Sequence, residues 1–175
     1  TLHRMERNGD DIHTLSFHDT NEWHPSVDND GKLAYARWDY VDRDSDIAHH
    51  LWHCYPDGRD PRSYHGNYPR QREARPWMEL SPRAVPNSHL FIATAAPHHG
   101  QSYGSLVLID RRIADDHACS QIKRFTPFYR FPESEDGPGI PGKRKRGGKR
   151  GGEHYGNPWP IDETTTLCVF SSDTK

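Results

Sequence analysis

Histidine is the residue type with the greatest capacity for chemistry in this 175-residue chain. Thirteen histidines include two local groups, His49-His50-x-x-His53 and His98-His99. Neutral imidazole is a good ligand for zinc, copper or iron, so both groups are candidate metal ligands. The alternative is that they are ordinary polar loop residues, because no spacing among them is diagnostic of a metal site.

An acidic loop offers a second candidate, for a hard cation. Four carboxylates fall in residues 39–46, and Asp42, Asp44 and Asp46 have the alternate spacing of a calcium loop. The EF-hand pattern fails, since Ile47 stands where its glycine should be and His53 where its bidentate glutamate should be. One prediction is therefore a divalent metal at this loop, and the alternative is that these are solvated loop residues.

A basic segment at residues 143–152 carries six lysines and arginines among glycines. It lacks interleaved aromatic residues, so it does not resemble a platform for stacking single-stranded bases. The net formal charge of -2 also argues against a general nucleic-acid binder. We expect residues 133–152 to form a flexible loop insertion and expect no nucleic-acid partner.

Motifs for most other chemistries are absent from the sequence. The three cysteines, Cys54, Cys119 and Cys168, form no CxxC pair and no CxxCH site for c-type haem. They allow one disulfide or three buried thiols. No GxSxG elbow, P-loop or dinucleotide fingerprint occurs, so no catalytic residue and no cofactor are predicted. No apolar run is long enough for a membrane span, and the start of the chain resembles neither an initiator methionine nor a signal peptide.

Short runs of alternating apolar and polar residues, separated by tight turns, predict β-strands. These strands would position the candidate residues. In the first half they are Trp23–Val27, Lys32–Trp38, Leu51–Tyr55 and Asp60–Tyr64, with Asp-Gly turns after the first and third. Asp-Gly between extended runs favours a hairpin, because glycine tolerates positive φ. These runs predict one four-stranded antiparallel sheet.

The same order of runs recurs further along the chain. The pattern is repeated by Trp77–Pro82, His89–Thr94, Gly104–Asp110 and Gln121–Thr126. The last of these runs resembles Ile12–Ser16, and a third cycle begins at Asn157–Pro160. We therefore predict an all-β fragment of a β-propeller, with about two complete four-stranded blades plus a partial third. The expected boundaries are residues 12–64, 77–126 and 155–175. One such sheet cannot bury both faces, so each blade requires neighbours, and two and a half blades do not close a ring.

The first repeat contains Leu15-Ser16-Phe17-His18 followed by Trp23-His24-Pro25-Ser26-Val27-Asp28-Asn29-Asp30-Gly31, which resembles the repeat of TolB-like, WD40-like propellers. A longer run is more specific. It comprises His24-Pro25-Ser26-Val27, Asn29-Asp30-Gly31, Arg37 to Asp44, Leu51-Trp52 and Pro56-Asp57-Gly58. It is similar to the propeller region of proteins related to the hydrazine synthase alpha subunit. The resemblance covers residues 12–170, apart from the basic insertion, and implies a propeller fold and a periplasmic or secreted setting. The haem chemistry of the synthase is not implied, because this chain has no CxxCH.

These observations lead to two functional hypotheses. The first is a non-catalytic interaction or scaffold domain of a larger exported bacterial protein, whose partners are the remaining domains of that protein or another protein. The second is part of a metal- or haem-dependent oxidoreductase subunit, with an active site completed by regions outside this chain.

Overall fold

The computed structural model describes residues 1–39, 49–64, 76, 78–96, 102–114, 121–126 and 154–171. Within these ranges the regular structure consists of strands, without a helix, which confirms the predicted all-β class. The strands are β1 His3–Arg4, β2 His13–Thr14, β3 Glu22–Val27, β4 Leu33–Trp38, β5 His49–Cys54, β6 Arg62–Ser63, β7 Met78–Ala84, β8 Leu90–Ala96, β9 Ser105–Asp110, β10 Ile122–Arg124, β11 His154–Pro160 and β12 Thr166–Ser171.

Strands β3 to β6 form the first unit, an antiparallel sheet in which each strand pairs with the next in sequence. The predicted Asp-Gly turns connect its strands. Gly31 lies between β3 and β4 with φ +77°, and Gly58 lies between β5 and β6 with φ +84°. Both glycines occupy the left-handed region that a side chain disfavours.

Strands β7 to β10 form the second unit with the same order and the same antiparallel pairing. Its first strand, β7, also repeats a local irregularity of β3, the first strand of the first unit. A residue with positive φ precedes a proline inside a β-bulge in β3, β7 and β11, at His24, Ser81 and Asn157 respectively. A bulge leaves one residue out of the ladder, so a proline that lacks an N–H is tolerated there.

The units stack face to face. Strand β7 packs against β3, β4 and β5, and β11 packs in the same way against β7, β8 and β9. The largest buried cluster joins Ala34 and Leu51 of the first unit to Phe91, Ala93 and Val107 of the second. Along the hydrogen-bond direction, β5 and β7 meet at a single parallel bridge, His49 to Met78. Four-stranded sheets packed through their faces are consistent with a fragment of a β-propeller.

A two-stranded hairpin lies at each end of this stack. The N-terminal hairpin, β1–β2, places Leu2 and Leu15 in a cluster with Tyr35 and Cys54 of the first unit. Strand β2 therefore pairs with β1 and not with the sheet β3–β6, although the sequence places residues 12–16 in the first blade. The C-terminal hairpin, β11–β12, covers the far face of the second unit.

The described cysteines are both free thiols. Cys54 is buried, whereas Cys168 is exposed, so the alternative of three buried thiols is wrong for Cys168. Cys119 and the segment 133–152 lie outside the described residues. No helix in the described part of the chain is long and apolar enough to cross a membrane.

Candidate functional site

The candidate site lies at one edge of the first unit, where β3 and β5 begin and β4 ends. We call this edge the rim. Strand pairing brings five residues together at the rim. Trp38 pairs with His49, and Arg37 pairs with Glu22 on one side and with His50 on the other. The rim forms because the β4–β5 connection starts and ends there.

His49 is buried at the rim between two indoles. Its ring stacks on Trp38 with a centroid separation of 5.1 Å and on Trp23 at 5.5 Å. The three rings belong to three adjacent strands of one sheet and project to the face that the second unit covers. This stack gives His49 a packing role within the first unit.

His50 faces a carboxylate of the next unit. Its Nδ1 lies 3.6 Å from Oε1 of Glu79, and both side chains are buried. The other oxygen of Glu79 accepts a hydrogen bond from the backbone N–H of Leu51 at 3.3 Å. Glu79 therefore bridges the start of β5 to β7, across the boundary between the two units.

His53 lies apart from the other two histidines. It is four residues along the strand from His49, which corresponds to about 13 Å. Its ring packs on Tyr64 with centroids 4.1 Å apart. Burial lowers the pKa of His53, with the positive charge of Lys32 adding to the effect. These surroundings thus favour the neutral form of the imidazole.

The structure brings His49 and His50 to the rim but does not assemble them with His53. The other predicted ligands, Asp42, Asp44, Asp46, His98 and His99, lie outside the described residues. Within the described ranges no three histidine, cysteine or acidic side chains are grouped as a metal site would require. The predicted metal site stays a prediction.

A second polar group at the rim was missed from the sequence. Arg37 Nη2 lies 2.6 Å from His18 Nδ1 and 3.8 Å from the carboxylate of Asp39. The guanidinium also stacks 3.9 Å above the ring of Trp52. Arg37 and Asp39 are close in sequence, whereas His18 and Trp52 come from distant parts of the chain and reach Arg37 only through the fold.

A cavity of about 270 Å³ adjoins this group, between the N-terminal hairpin and the first unit. Its polar lining includes Ser16, Glu22 and Tyr35. Burial raises the pKa of the Tyr35 hydroxyl and that of the Cys54 thiol, which also lines the cavity. A raised pKa lowers the fraction of Cys54 that is the nucleophilic thiolate at neutral pH.

No family model matches the chain, and no curated protein matches it. Among solved structures, hydrazine synthase from Kuenenia stuttgartiensis is similar, with a TM-score of 0.64 and 12% sequence identity. The likeness is one of fold. It covers 93% of this chain but only 18% of the hydrazine synthase chain.

Proposed function

We propose that this chain is a β-propeller interaction and scaffold module of a larger exported bacterial protein. In this proposal it is related to the propeller regions of proteins related to the hydrazine synthase alpha subunit. The sequence resemblance and the likeness of fold to hydrazine synthase support this relation. Its partners are the remaining domains of the parent protein or a separate protein.

The observation that carries the proposal is the use of the rim side chains in packing, both within the first unit and across its boundary with the second. His49 is stacked between Trp23 and Trp38, and Glu79 of the second unit bridges His50 and the Leu51 backbone of the first. Buried polar groups with such partners stabilise one arrangement of sheets. This favours a structural role for the rim.

The rival proposal is a metal-dependent enzyme subunit. It is favoured by the neighbouring positions of His49 and His50 at the end of a connection that contains Asp42, Asp44 and Asp46. Imidazole and carboxylate together would suit a transition metal. In that case the rim would hold the metal and regions outside this chain would complete the active site.

Elemental analysis of the pure protein separates the two proposals. We expect no stoichiometric transition metal in the wild type and no change in His49→Ala or His98→Ala. His13→Ala, at an exposed position of β2, is the matched control. A stoichiometric metal that is lost in His49→Ala but kept in His13→Ala, with both variants folded by circular dichroism, would overturn the scaffold proposal.

A further inference from the structure

The first and second units carry different side chains at three equivalent positions of one face. In the second unit these positions belong to the largest buried apolar cluster and hold Ala93, Ala95 and Ile109. The equivalent positions of the first unit, matched through the strand register, hold Tyr35, Arg37 and Cys54. A face that is an apolar core in one unit is therefore polar in the other, and the cavity of about 270 Å³ lies against the polar one. Buried polar groups destabilise a fold unless they find partners, so this face requires one.

The hydroxyl of Tyr35 lies on this face without a hydrogen bond. The side chain is fully buried, and no group in the described part of the chain is in hydrogen-bond geometry with its oxygen. Its polar neighbours are the guanidinium of Arg37 and the thiol of Cys54. Because burial raises the pKa of Tyr35, the hydroxyl stays protonated and is able to donate. A molecule in the cavity that accepts this hydrogen bond would remove the cost of the unsatisfied group.

Arg37 and Glu22 are cross-strand neighbours that both line the cavity. Nη2 of Arg37 lies 2.6 Å from Nδ1 of His18, and the carboxylate nearest to it among the described residues is Asp39 at 3.8 Å. Oε2 of Glu22 accepts from the hydroxyl of Ser16. Within the described ranges Arg37 and Glu22 do not form an ion pair with each other. The cavity wall therefore carries a positive and a negative charge at separate positions, each held by its own partner.

We propose that this cavity binds a small zwitterion, an α-amino acid with an apolar side chain. The ligand carboxylate accepts hydrogen bonds from Arg37 and Tyr35, and the ligand ammonium group donates to Glu22. A guanidinium is the side chain best suited to hold a carboxylate. Leu15 and Phe17, which also line the cavity, provide apolar surface for the ligand side chain. This site goes beyond the scaffold role and does not depend on it.

A ligand with both charges suits this wall better than an ion with one. A simple anion would bring its charge towards Glu22, and a simple amine would bring its charge towards Arg37. Both side chains are largely buried, so such a repulsion is screened less than it would be in water. The volume also limits the ligand, because pockets for drug-sized molecules measure about 300–1,000 Å³. An amino acid meets both requirements.

Isothermal titration calorimetry of the full chain with L-valine, L-leucine and L-phenylalanine tests the site. We expect saturable binding of at least one of these amino acids at millimolar or lower concentration. The deaminated and decarboxylated relatives of the amino acid that binds then test the two charges; for L-leucine they are 4-methylpentanoate and 3-methylbutylamine. Each relative should bind about tenfold more weakly or worse, because one charge-assisted hydrogen bond is lost.

Tyr35→Phe removes the hydroxyl, keeps the ring and separates binding from folding. We expect the affinity for the amino acid to fall about tenfold. The midpoint of thermal unfolding without ligand should not fall, since the hydroxyl has no hydrogen bond to lose. Glu22→Gln should also weaken binding, because the ligand ammonium group loses its charged acceptor. Tyr55→Phe, at an exposed tyrosine away from the cavity lining, is the matched control and should keep the wild-type affinity.

Three results would each overturn the site. They are failure of all three amino acids to bind, unchanged affinity in Tyr35→Phe, and equal binding of the amino acid and its singly charged relatives. None of them bears on the scaffold proposal, which the elemental analysis tests separately.

Discussion

Glu22 and Glu79 occupy the same position of successive units, because each pairs with the equivalent residue of the neighbouring strand. Both are buried, and each is hydrogen-bonded, directly or through a hydroxyl, to an equivalent backbone N–H of the preceding element. Glu79 accepts directly from Leu51, whereas Glu22 accepts from the hydroxyl of Ser16, which in turn accepts from Leu2 at 2.7 Å. A buried carboxylate on the first strand of each unit, β3 or β7, thus links that unit to the element before it.

Removal of the Glu79 carboxylate should weaken the boundary between the units. We expect Glu79→Ala to lower the free energy of unfolding by about 2 kcal/mol or more, since the Leu51 N–H loses a buried acceptor. Glu79→Gln retains an acceptor and should lose less. Urea denaturation measures both, with exposed Glu6→Ala as the control. If Glu79→Ala is as stable as the control variant, the carboxylate does not serve this link.

Gly58 should be more sensitive to substitution than Gly31. Both have positive φ, but a Cβ at Gly58 would collide with the Leu15 carbonyl, whereas a Cβ at Gly31 would meet open space. Alanine in the left-handed region is unfavourable by roughly 1–2 kcal/mol, and we expect Gly31→Ala to show only this effect. Gly58→Ala should add about 1–3 kcal/mol of steric strain. Equal thermal or urea stability of the two variants would contradict the close approach of the β5–β6 turn to the N-terminal hairpin.

Asp28 and Asp30 provide a contrast between a buried and an exposed carboxylate. Asp28 accepts hydrogen bonds from the N–H groups of Asp30 and Lys32 and from the Tyr64 hydroxyl. Asp30 forms a 2.7 Å ion pair with Arg111 and is half exposed. We expect Asp28→Ala to lower the unfolding free energy by about 2–4 kcal/mol and Asp30→Ala by less than about 1 kcal/mol. The reverse order in urea denaturation would contradict the assigned turn.

His53 should make stability depend on pH. Its pKa is lowered by burial from the ordinary value of 6.5, so the unfolded chain binds the proton more tightly than the folded chain. The stabilisation from His53 is therefore complete above pH 6.5 and is lost as the pH falls. His53→Phe keeps a ring against Tyr64 and should reduce the loss of stability between about pH 7.5 and about pH 5.5. An unchanged loss in His53→Phe would show that other groups cause it.

The strands of the two units were predictable because their signals are local. The run Trp23–Val27 lies within the observed β3, and Lys32–Trp38 covers β4, since alternation and Asp-Gly turns act over a few residues. The role of residues 12–16 was not predictable in the same way. Strands β1 and β2 have two residues each, which is too short for a periodic pattern.

The rim could be predicted only in part. His49 and His50 were selected by residue type, and the structure places both at the rim. The contact of Arg37 with His18 and Asp39 was not predicted, because each of these residue types is common on an ordinary polar surface. The contact with His18 depends on how the segment between β2 and β3 returns to the end of β4, which sequence spacing does not encode.

The contact between Tyr64 and Phe91 tests the face-to-face stacking of the units most directly. The rings belong to different units and have centroids 5.1 Å apart. A double-mutant cycle with Tyr64→Leu and Phe91→Leu, followed by urea denaturation, measures their coupling. The stacked arrangement predicts a coupling energy of about 0.5–1.5 kcal/mol. Effects that add to within about 0.3 kcal/mol would contradict it.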